Sequence, residues 1–221
     1  MFALSVIACI IIGYLLGGFP TSYLIGKYWG KLNLMEQGKS HVSGTSVYRE
    51  LGWGPFLIVI IVDVLKGMPA IYFSQVLSGN NIWVVMITAV AAAAGHCWSV
   101  YIRFHGGLGA TVIFGMLFYT GISFSGTHIP WEFTLGGIAA LVTMLTVKKS
   151  TLGTVLWLVI ISAALLIELL VFNEGTLAMA LLPLLLLGVQ FTKRLMSRRQ
   201  GDAYKNELVA DFRRIKNAGT K

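Results

Sequence analysis

Apolar runs of about twenty residues alternate with short polar segments along nearly the whole 221-residue chain. The hydrocarbon core of a bilayer takes about 20 helical residues, so each run is a candidate transmembrane helix. The pattern predicts an all-α, polytopic membrane protein with about seven transmembrane helices. The predicted spans lie near Phe2–Gly26, Pro55–Leu77, Ile82–Ile102, Ala110–Ser125, Trp131–Val147, Leu152–Phe172 and Thr176–Thr192.

Composition and charge agree with a membrane protein. The chain is 56% hydrophobic and 12% charged, about half the charged fraction of an ordinary soluble domain. Lysine and arginine follow the first, third, fifth and seventh spans, whereas the segments near Gly79, Gly126 and Asn173 hold neither. The positive-inside rule therefore predicts an N-terminus outside and a C-terminus in the cytoplasm. The same distribution argues against nucleic acid as a partner, despite a net charge of +8.

The chain divides into a transmembrane domain, residues 1–192, and a basic cytoplasmic tail, residues 193–221. In the tail, Tyr204, Leu208, Phe212 and Ile215 follow helical spacing, and Asp202 is placed to cap the helix start. A basic amphipathic helix next to a membrane is typical of a segment that lies on anionic headgroups, and docking to a protein partner is the alternative. The two cysteines have neither disulfide nor metal spacing, so no metal or cofactor is predicted.

A glycine-rich polar loop, GHCWSVYIRFHGGLGAT (residues 95–111), separates the third and fourth spans. Lipid cannot satisfy irregular backbone, so this loop must face water, a protein cavity or a ligand. Gly106, Gly107 and Gly109 leave backbone N–H groups unshielded, and Arg103 and His105 lie beside them. This combination suits a phosphate. The alternative is a turn between two membrane helices that glycine merely makes flexible.

The first cytoplasmic loop is rich in hydroxyls and bases and poor in acids, a composition that suits a phosphate ester. An ordinary solvated loop is the alternative. The candidate phosphate-binding side chains in this loop are Lys39, Ser43, Thr45, Ser46 and Arg49, with His41 as a candidate catalytic residue.

Two further candidates lie inside apolar runs. Asp63 and Lys66 are spaced i,i+3 on one helix face, where they can pair. Ionised groups at this depth usually face a cavity or each other, so a site role and a purely structural pair both stay open. His96, at the end of the third span, is either a hydrogen-bonded helix terminus or a catalytic base.

Five segments, in order, resemble motifs of the bacterial acyl-phosphate:glycerol-3-phosphate acyltransferases, the PlsY family. GGFPTSYLIGK is similar to the first-helix signature, residues 38–52 to the GSGNxGxTNxxRxLG loop, and DVLKG to DxxKG. Gly95-His96 followed by residues 104–111 is similar to the GHxxPVxxxFxGGKGxAT loop, and Lys149-Ser150-Thr151-Leu152 to a basic-Ser segment before the sixth span.

The resemblance implies a seven-span enzyme of the bacterial cytoplasmic membrane with its site at the cytoplasmic face. Such enzymes transfer a fatty acyl group from acyl phosphate to the 1-hydroxyl of glycerol 3-phosphate, which gives lysophosphatidic acid. Under this hypothesis two groups of side chains hold phosphates, and Asp63 and Lys66 orient the site. The hydroxyl proton is accepted by His96, by His41 or by the phosphate of a substrate. The phosphate-binding set also includes Lys149 and Ser150.

The departures from the family pattern are concentrated at the expected site. The two family lysines of the glycine loop are His105 and Leu108 here, and the family proline before it is Ser99. Histidine is mostly neutral at pH 7, so fixed positive charge is lost. Lys39 and Arg103 are hypothesised to restore it.

Several other functions stay open from the sequence. The family's histidine and asparagine after the seventh span are missing, which leaves open an inactive descendant serving as a structural or lipid-binding subunit of a membrane complex. An acyltransferase with another donor or acceptor fits the altered loops as well. A transporter is disfavoured because the chain shows no corresponding halves.

Overall fold

The protein is described by a computed structural model at residues 2–32, 43–125, 150–172 and 177–218. These residues form helices and connecting turns with no strand among them, so the predicted all-α class is confirmed. The helices are α1 (Phe2–Gly18), α2 (Thr21–Tyr28), α3 (Gly44–Leu51), α4 (Trp53–Ser78), α5 (Ile82–Cys97), α6 (Ala110–Ser125), α7 (Ser150–Ile167) and α8 (Leu177–Ala218).

Five helical stretches in the described residues are long and apolar enough to cross a bilayer, and Ala110–Phe124 is a shorter apolar helix. The five are Phe2–Tyr28, Trp53–Ser78, Ile82–Ile102, Gly153–Leu170 and Leu177–Gln200. The protein is therefore a multi-pass membrane protein. The predicted span Trp131–Val147 lies outside the described residues, and the count of seven and the orientation stay predictions.

The predicted first span, near Phe2–Gly26, agrees with the apolar stretch Phe2–Tyr28, but this stretch is interrupted, because α1 ends at Gly18 and α2 begins at Thr21. Pro20 disfavours helical backbone at Phe19 and has no N–H to donate. The interruption leaves carbonyl groups that lipid could not satisfy. Ser99 Oγ donates to Gly18 O at 2.6 Å, and Lys66 Nζ donates to Phe19 O at 2.8 Å.

Small residues bring the membrane helices into close contact. A methyl group on Gly17 would overlap the main chain of Ala92, and one on Gly95 would overlap the carbonyl of Tyr14, so α1 and α5 touch backbone to backbone. Gly115 gives α6 the same approach to α4. Close packing of this kind is how helices associate in lipid, where burial of apolar surface gives no advantage.

The last helix, α8, runs from Leu177 to Ala218 without a break. The helical backbone predicted for the tail is present, but the prediction that Asp202 caps its start is wrong. A single glycine, Gly201, precedes Asp202, and a glycine disfavours an internal helix position by only about 1 kcal/mol. The binding of the tail to anionic headgroups stays a prediction.

Candidate active site

The glycine loop leaves the end of α5 through a short 3₁₀ turn, Val100–Ile102. Arg103 and Phe104 then adopt left-handed backbone with φ of 51° and 62°, a conformation uncommon for residues other than glycine. Two hydrogen bonds fix this turn, from Phe104 N to Ser99 O at 2.8 Å and from His105 N to Ile102 O at 3.0 Å. The chain thereby folds back towards α5.

The glycines of the loop pack directly against His96. Gly107 N donates to His96 O at 3.1 Å, so this amide is already engaged within the protein. A methyl group on Gly107 would overlap Nε2 of the His96 ring, and one on Gly106 would overlap the His96 carbonyl. Gly109, with φ of 81°, turns the chain into α6. Gly106 and Gly107 are thus needed for close approach to His96, which the sequence alone did not indicate.

The basic side chains of this loop lie at the surface. The Arg103 side chain is exposed, and Nδ1 of His105 lies 2.9 Å from Arg103 O. His96 is half-buried beneath the glycines. The loop therefore packs the half-buried imidazole of His96 against its glycines, whereas Arg103 is exposed.

The pairing predicted for Asp63 and Lys66 is confirmed, with Lys66 Nζ 2.9 Å from Asp63 Oδ1. Both side chains are buried. Lys66 also binds Phe19 O at the α1–α2 interruption, and Thr111 Oγ1 lies 3.4 Å from Asp63 Oδ2 at the start of α6. The pair thus connects α4 with the α1–α2 interruption and with the start of α6.

The hydroxyls at the start of α3 also cluster. Ser43 Oγ lies 2.8 Å from Thr45 Oγ1 and 3.4 Å from Ser46 Oγ, at the first turn of α3. Arg49 lies on the same helix with an exposed side chain. A small apolar cluster of Val47, Val59 and Ile102 fastens α3 to α4 and to the 3₁₀ turn. The two polar loops therefore meet at one end of the helix bundle.

Three predicted site residues, Lys39, His41 and Lys149, lie outside the described residues. Ser150 is the first residue of α7, where only the backbone is described.

An apolar groove of about 430 Å³ lies between α1 and α4. Among the described residues, Lys66 is its one charged lining residue, and Tyr101 of the 3₁₀ turn also lines it. The other lining side chains are Leu15, Leu16, Phe19, Val62, Leu65 and Pro69. The same ammonium group thus borders both an apolar groove and the elements that carry the polar loops.

Sequence reasoning missed a second cation beside the glycine loop. Lys193 of α8 is 4% exposed, and its Nζ lies 5.8 Å from the centre of the Trp98 ring, two residues after His96. Gln190, one turn earlier, is 1% exposed. Their i,i+3 spacing at the end of an apolar run was a signal that these polar side chains share a face.

The family model for glycerol-3-phosphate acyltransferase matches residues 7–199. The chain belongs to this family. The glycerol-3-phosphate acyltransferase of Shouchella clausii is 32% identical over 170 residues, which cover 76% of this chain and 79% of that protein. The same enzyme of Synechococcus sp. (strain JA-2-3B'a(2-13)) is 36% identical over 114 residues, 52% of this chain. That match spans 56% of the Synechococcus protein, so the chain described here aligns with little more than half the length of that relative.

Solved structures show the same fold. The crystal structure of PlsY (YgiH), an integral membrane glycerol 3-phosphate acyltransferase, in its glycerol 3-phosphate form superposes with a TM-score of 0.62. It is 23% identical, and the match covers 94% of this family member and 93% of that chain. The lysophosphatidic acid form gives a TM-score of 0.58 at 22% identity. The family resemblance inferred from the sequence motifs is confirmed.

Proposed function

We propose that this protein is an active acyltransferase that moves a fatty acyl group from acyl phosphate to glycerol 3-phosphate, in the cytoplasmic membrane of a bacterium. The observation that carries the proposal is the position of Lys66. Its ammonium group borders the apolar groove and also holds the α1–α2 interruption beside the glycine loop. An acyl phosphate likewise combines an apolar part and a charged part, because its long apolar chain is joined to a dianionic headgroup.

The groove between α1 and α4 is the proposed site of the acyl chain. Its volume lies within the usual range for small-molecule sites, and its lining is apolar except at Lys66. The acyl chain gains by leaving water for this lining, and the phosphate then lies at the polar end of the groove. Membrane lipids provide the surroundings from which such a donor enters.

Two groups of donors are proposed for the two phosphates. The first surrounds the start of α3, where the clustered hydroxyls Ser43, Thr45 and Ser46 precede Arg49. The second is the glycine loop with Arg103 and His105. Three further phosphate-binding residues are proposed from their positions in the sequence: Lys39, Lys149 and Ser150. Arginine and hydroxyl groups suit phosphate oxygens because they donate hydrogen bonds, and arginine adds charge.

The reaction forms a C–O bond between the 1-hydroxyl of glycerol 3-phosphate and the acyl carbonyl carbon. The bond from that carbon to the phosphate oxygen breaks, and inorganic phosphate leaves. The hydroxyl proton goes to a base, for which His96 is the structurally described candidate and His41 the second. The mixed anhydride is already activated, so the proposed step uses no cofactor. Asp63 and Lys66 act as positioning residues, because their contacts hold Phe19 and Thr111.

The test is turnover of the purified full-length protein in detergent with palmitoyl phosphate and glycerol 3-phosphate, followed as phosphate release. Arg49→Ala should reduce turnover by about 10- to 100-fold, the effect of one charged hydrogen bond, and leave thermal unfolding unchanged because its side chain is exposed. Arg199→Ala removes an exposed cation on α8 and serves as the matched control. A folded protein without turnover would overturn this donor–acceptor pair.

A further inference from the structure

One face of α8 carries four polar side chains near the end of the bundle that holds the glycine loop. Gln190, Lys193, Arg194 and Ser197 are spaced i, i+3, i+4 and i+7, so they form one stripe along the helix. Gln190, Lys193 and Ser197 are 1%, 4% and 7% exposed. Arg194 is half-buried. The stripe continues the buried face that Leu182 and Leu186 begin.

This stripe is unsatisfied within the described part of the protein. Both amide atoms of Gln190, Nε and Nη1 of Arg194, and Oγ of Ser197 have no hydrogen-bond partner there. No described carboxylate forms a salt bridge with Lys193 or Arg194. Lys193 instead lies over the Trp98 ring. Burying polar groups without partners is unfavourable, and unpaired charge within a membrane protein usually marks a functional site.

The stripe lies beside the glycine loop. Trp98, which Lys193 contacts, follows α5 directly, and its carbonyl accepts a hydrogen bond from the Tyr14 hydroxyl of α1. The next residue, Ser99, holds Gly18 O. His96, against which the glycines pack, lies one helical position before Cys97, the last residue of α5. The cations of α8 therefore adjoin the segment that supports the proposed site.

We infer that Lys193 and Arg194 bind a substrate phosphate, with Gln190 and Ser197 as neutral hydrogen-bond partners. Two cations with an amide and a hydroxyl complement a phosphate dianion, whose oxygens accept several hydrogen bonds. They supply from α8 the fixed positive charge that Leu108 and His105 do not provide in the glycine loop. This inference rests on the proposed function and names new binding residues for it.

Binding is tested first without turnover. Inorganic phosphate should raise the thermal unfolding temperature of the full-length protein in detergent, because a ligand that binds the folded state stabilises it. Lys193→Met should reduce this rise, and the phosphate-binding groups at α3 and in the glycine loop account for any rise that is left. The same variant should unfold at a higher temperature than wild type without phosphate, since it removes a buried cation for which no described carboxylate provides a salt bridge. A role limited to the Trp98 contact predicts the opposite, a lower unfolding temperature with the phosphate effect retained, and that result would overturn the inference.

Two further variants support the comparison. Arg199→Met removes an exposed cation near the stripe and should keep the full phosphate effect. Gln190→Met keeps both cations and should weaken the phosphate effect by a smaller amount. If Lys193→Met does not fold, an unchanged phosphate effect in Gln190→Met overturns the inference by itself.

Kinetics then identifies the substrate whose phosphate is bound. Lys193→Met should raise KM by about 10- to 100-fold for one substrate, the effect of losing a charged hydrogen bond. A rise for glycerol 3-phosphate alone assigns the stripe to the acceptor, and a rise for palmitoyl phosphate alone assigns it to the donor. If Lys193→Met leaves the KM for both substrates unchanged, the inference is overturned, whereas turnover by the protein still supports the proposed function. The wild-type protein could also bind phosphate without any turnover. If Lys193→Met then weakens the phosphate effect, the proposed function fails but the anion site stands.

Discussion

The Lys66 ammonium donates to the main-chain oxygen of Phe19 at 2.8 Å, across the gap between α4 and the interruption of the first span. The same ammonium pairs with Asp63 at 2.9 Å. One buried side chain thus stabilises a broken helix and neutralises a carboxylate. The pair thus fixes backbone near the proposed site, and we expect its effect on the proposed reaction to follow from that contact.

Lys66→Met should destabilise the protein by about 3–5 kcal/mol, because it leaves a buried carboxylate without its cation. The measurement is thermal or denaturant unfolding in detergent. Asp63→Asn together with Lys66→Met removes both charges and should recover a large part of the loss. A double variant as unstable as the single one would contradict the assigned pairing.

Ser99 offers a comparison with the proline that the family has at this position. Ser99→Ala removes the bond to Gly18 O and should lower the free energy of unfolding by about 1 kcal/mol. Ser99 has φ of −68°, which proline adopts readily. Ser99→Pro should therefore regain about 0.4–1 kcal/mol through a less flexible unfolded chain. Unfolding measurements that place Ser99→Pro below Ser99→Ala would contradict this explanation.

Gly107→Ala should reduce acyl transfer strongly, because its methyl group would overlap the His96 ring and force the ring or the loop to move. The effect should appear mainly in kcat, since the proposed base is displaced. Gly54→Ala is the matched control, as a methyl group there meets nothing within 4 Å. Equal turnover in the two variants would exclude a tight fit between Gly107 and His96.

The acyl groove predicts selective effects of chain length. Val62→Phe adds bulk to the groove wall and should raise KM for palmitoyl phosphate more than for decanoyl phosphate. Leu57→Phe, on an exposed position of the same helix that does not line the groove, provides the control. If Val62→Phe changes KM equally for both donors, the acyl chain does not bind in this groove.

The sequence predicted features that depend on local spacing. The ends of α4 and α6 lie within two residues of the predicted spans Pro55–Leu77 and Ala110–Ser125, because apolar length sets them. The contact between Asp63 and Lys66 follows from their separation along one helix. The interruption at Phe19 was missed because the apolar run continues through it, although Pro20 was a signal.

Features that depend on packing between distant segments could not be predicted in this way. Lys193 reaches Trp98 only because α8 packs against α5, and the groove exists only because α1 and α4 lie side by side. Likewise, the close fit of Gly107 on His96 depends on the left-handed turn at Arg103 and Phe104. Hydropathy along the chain carries no information about which helices become neighbours.

The backbone contact between Gly17 of α1 and Ala92 of α5 bears on how the protein is made in the cell. α1 is synthesised before α5, and among the described residues the Gly17 backbone contact forms only once α5, which begins at Ile82, has entered the bilayer. During synthesis the Gly17 surface of α1 must therefore face lipid or the insertion machinery. We expect a nascent chain that ends before Ile82 to leave the natural Cys9 thiol of α1, which is buried against Thr88 of α5 in the folded protein, accessible to a lipid-phase crosslinker. A chain extended beyond Ser99, with Cys97→Ser, should protect it.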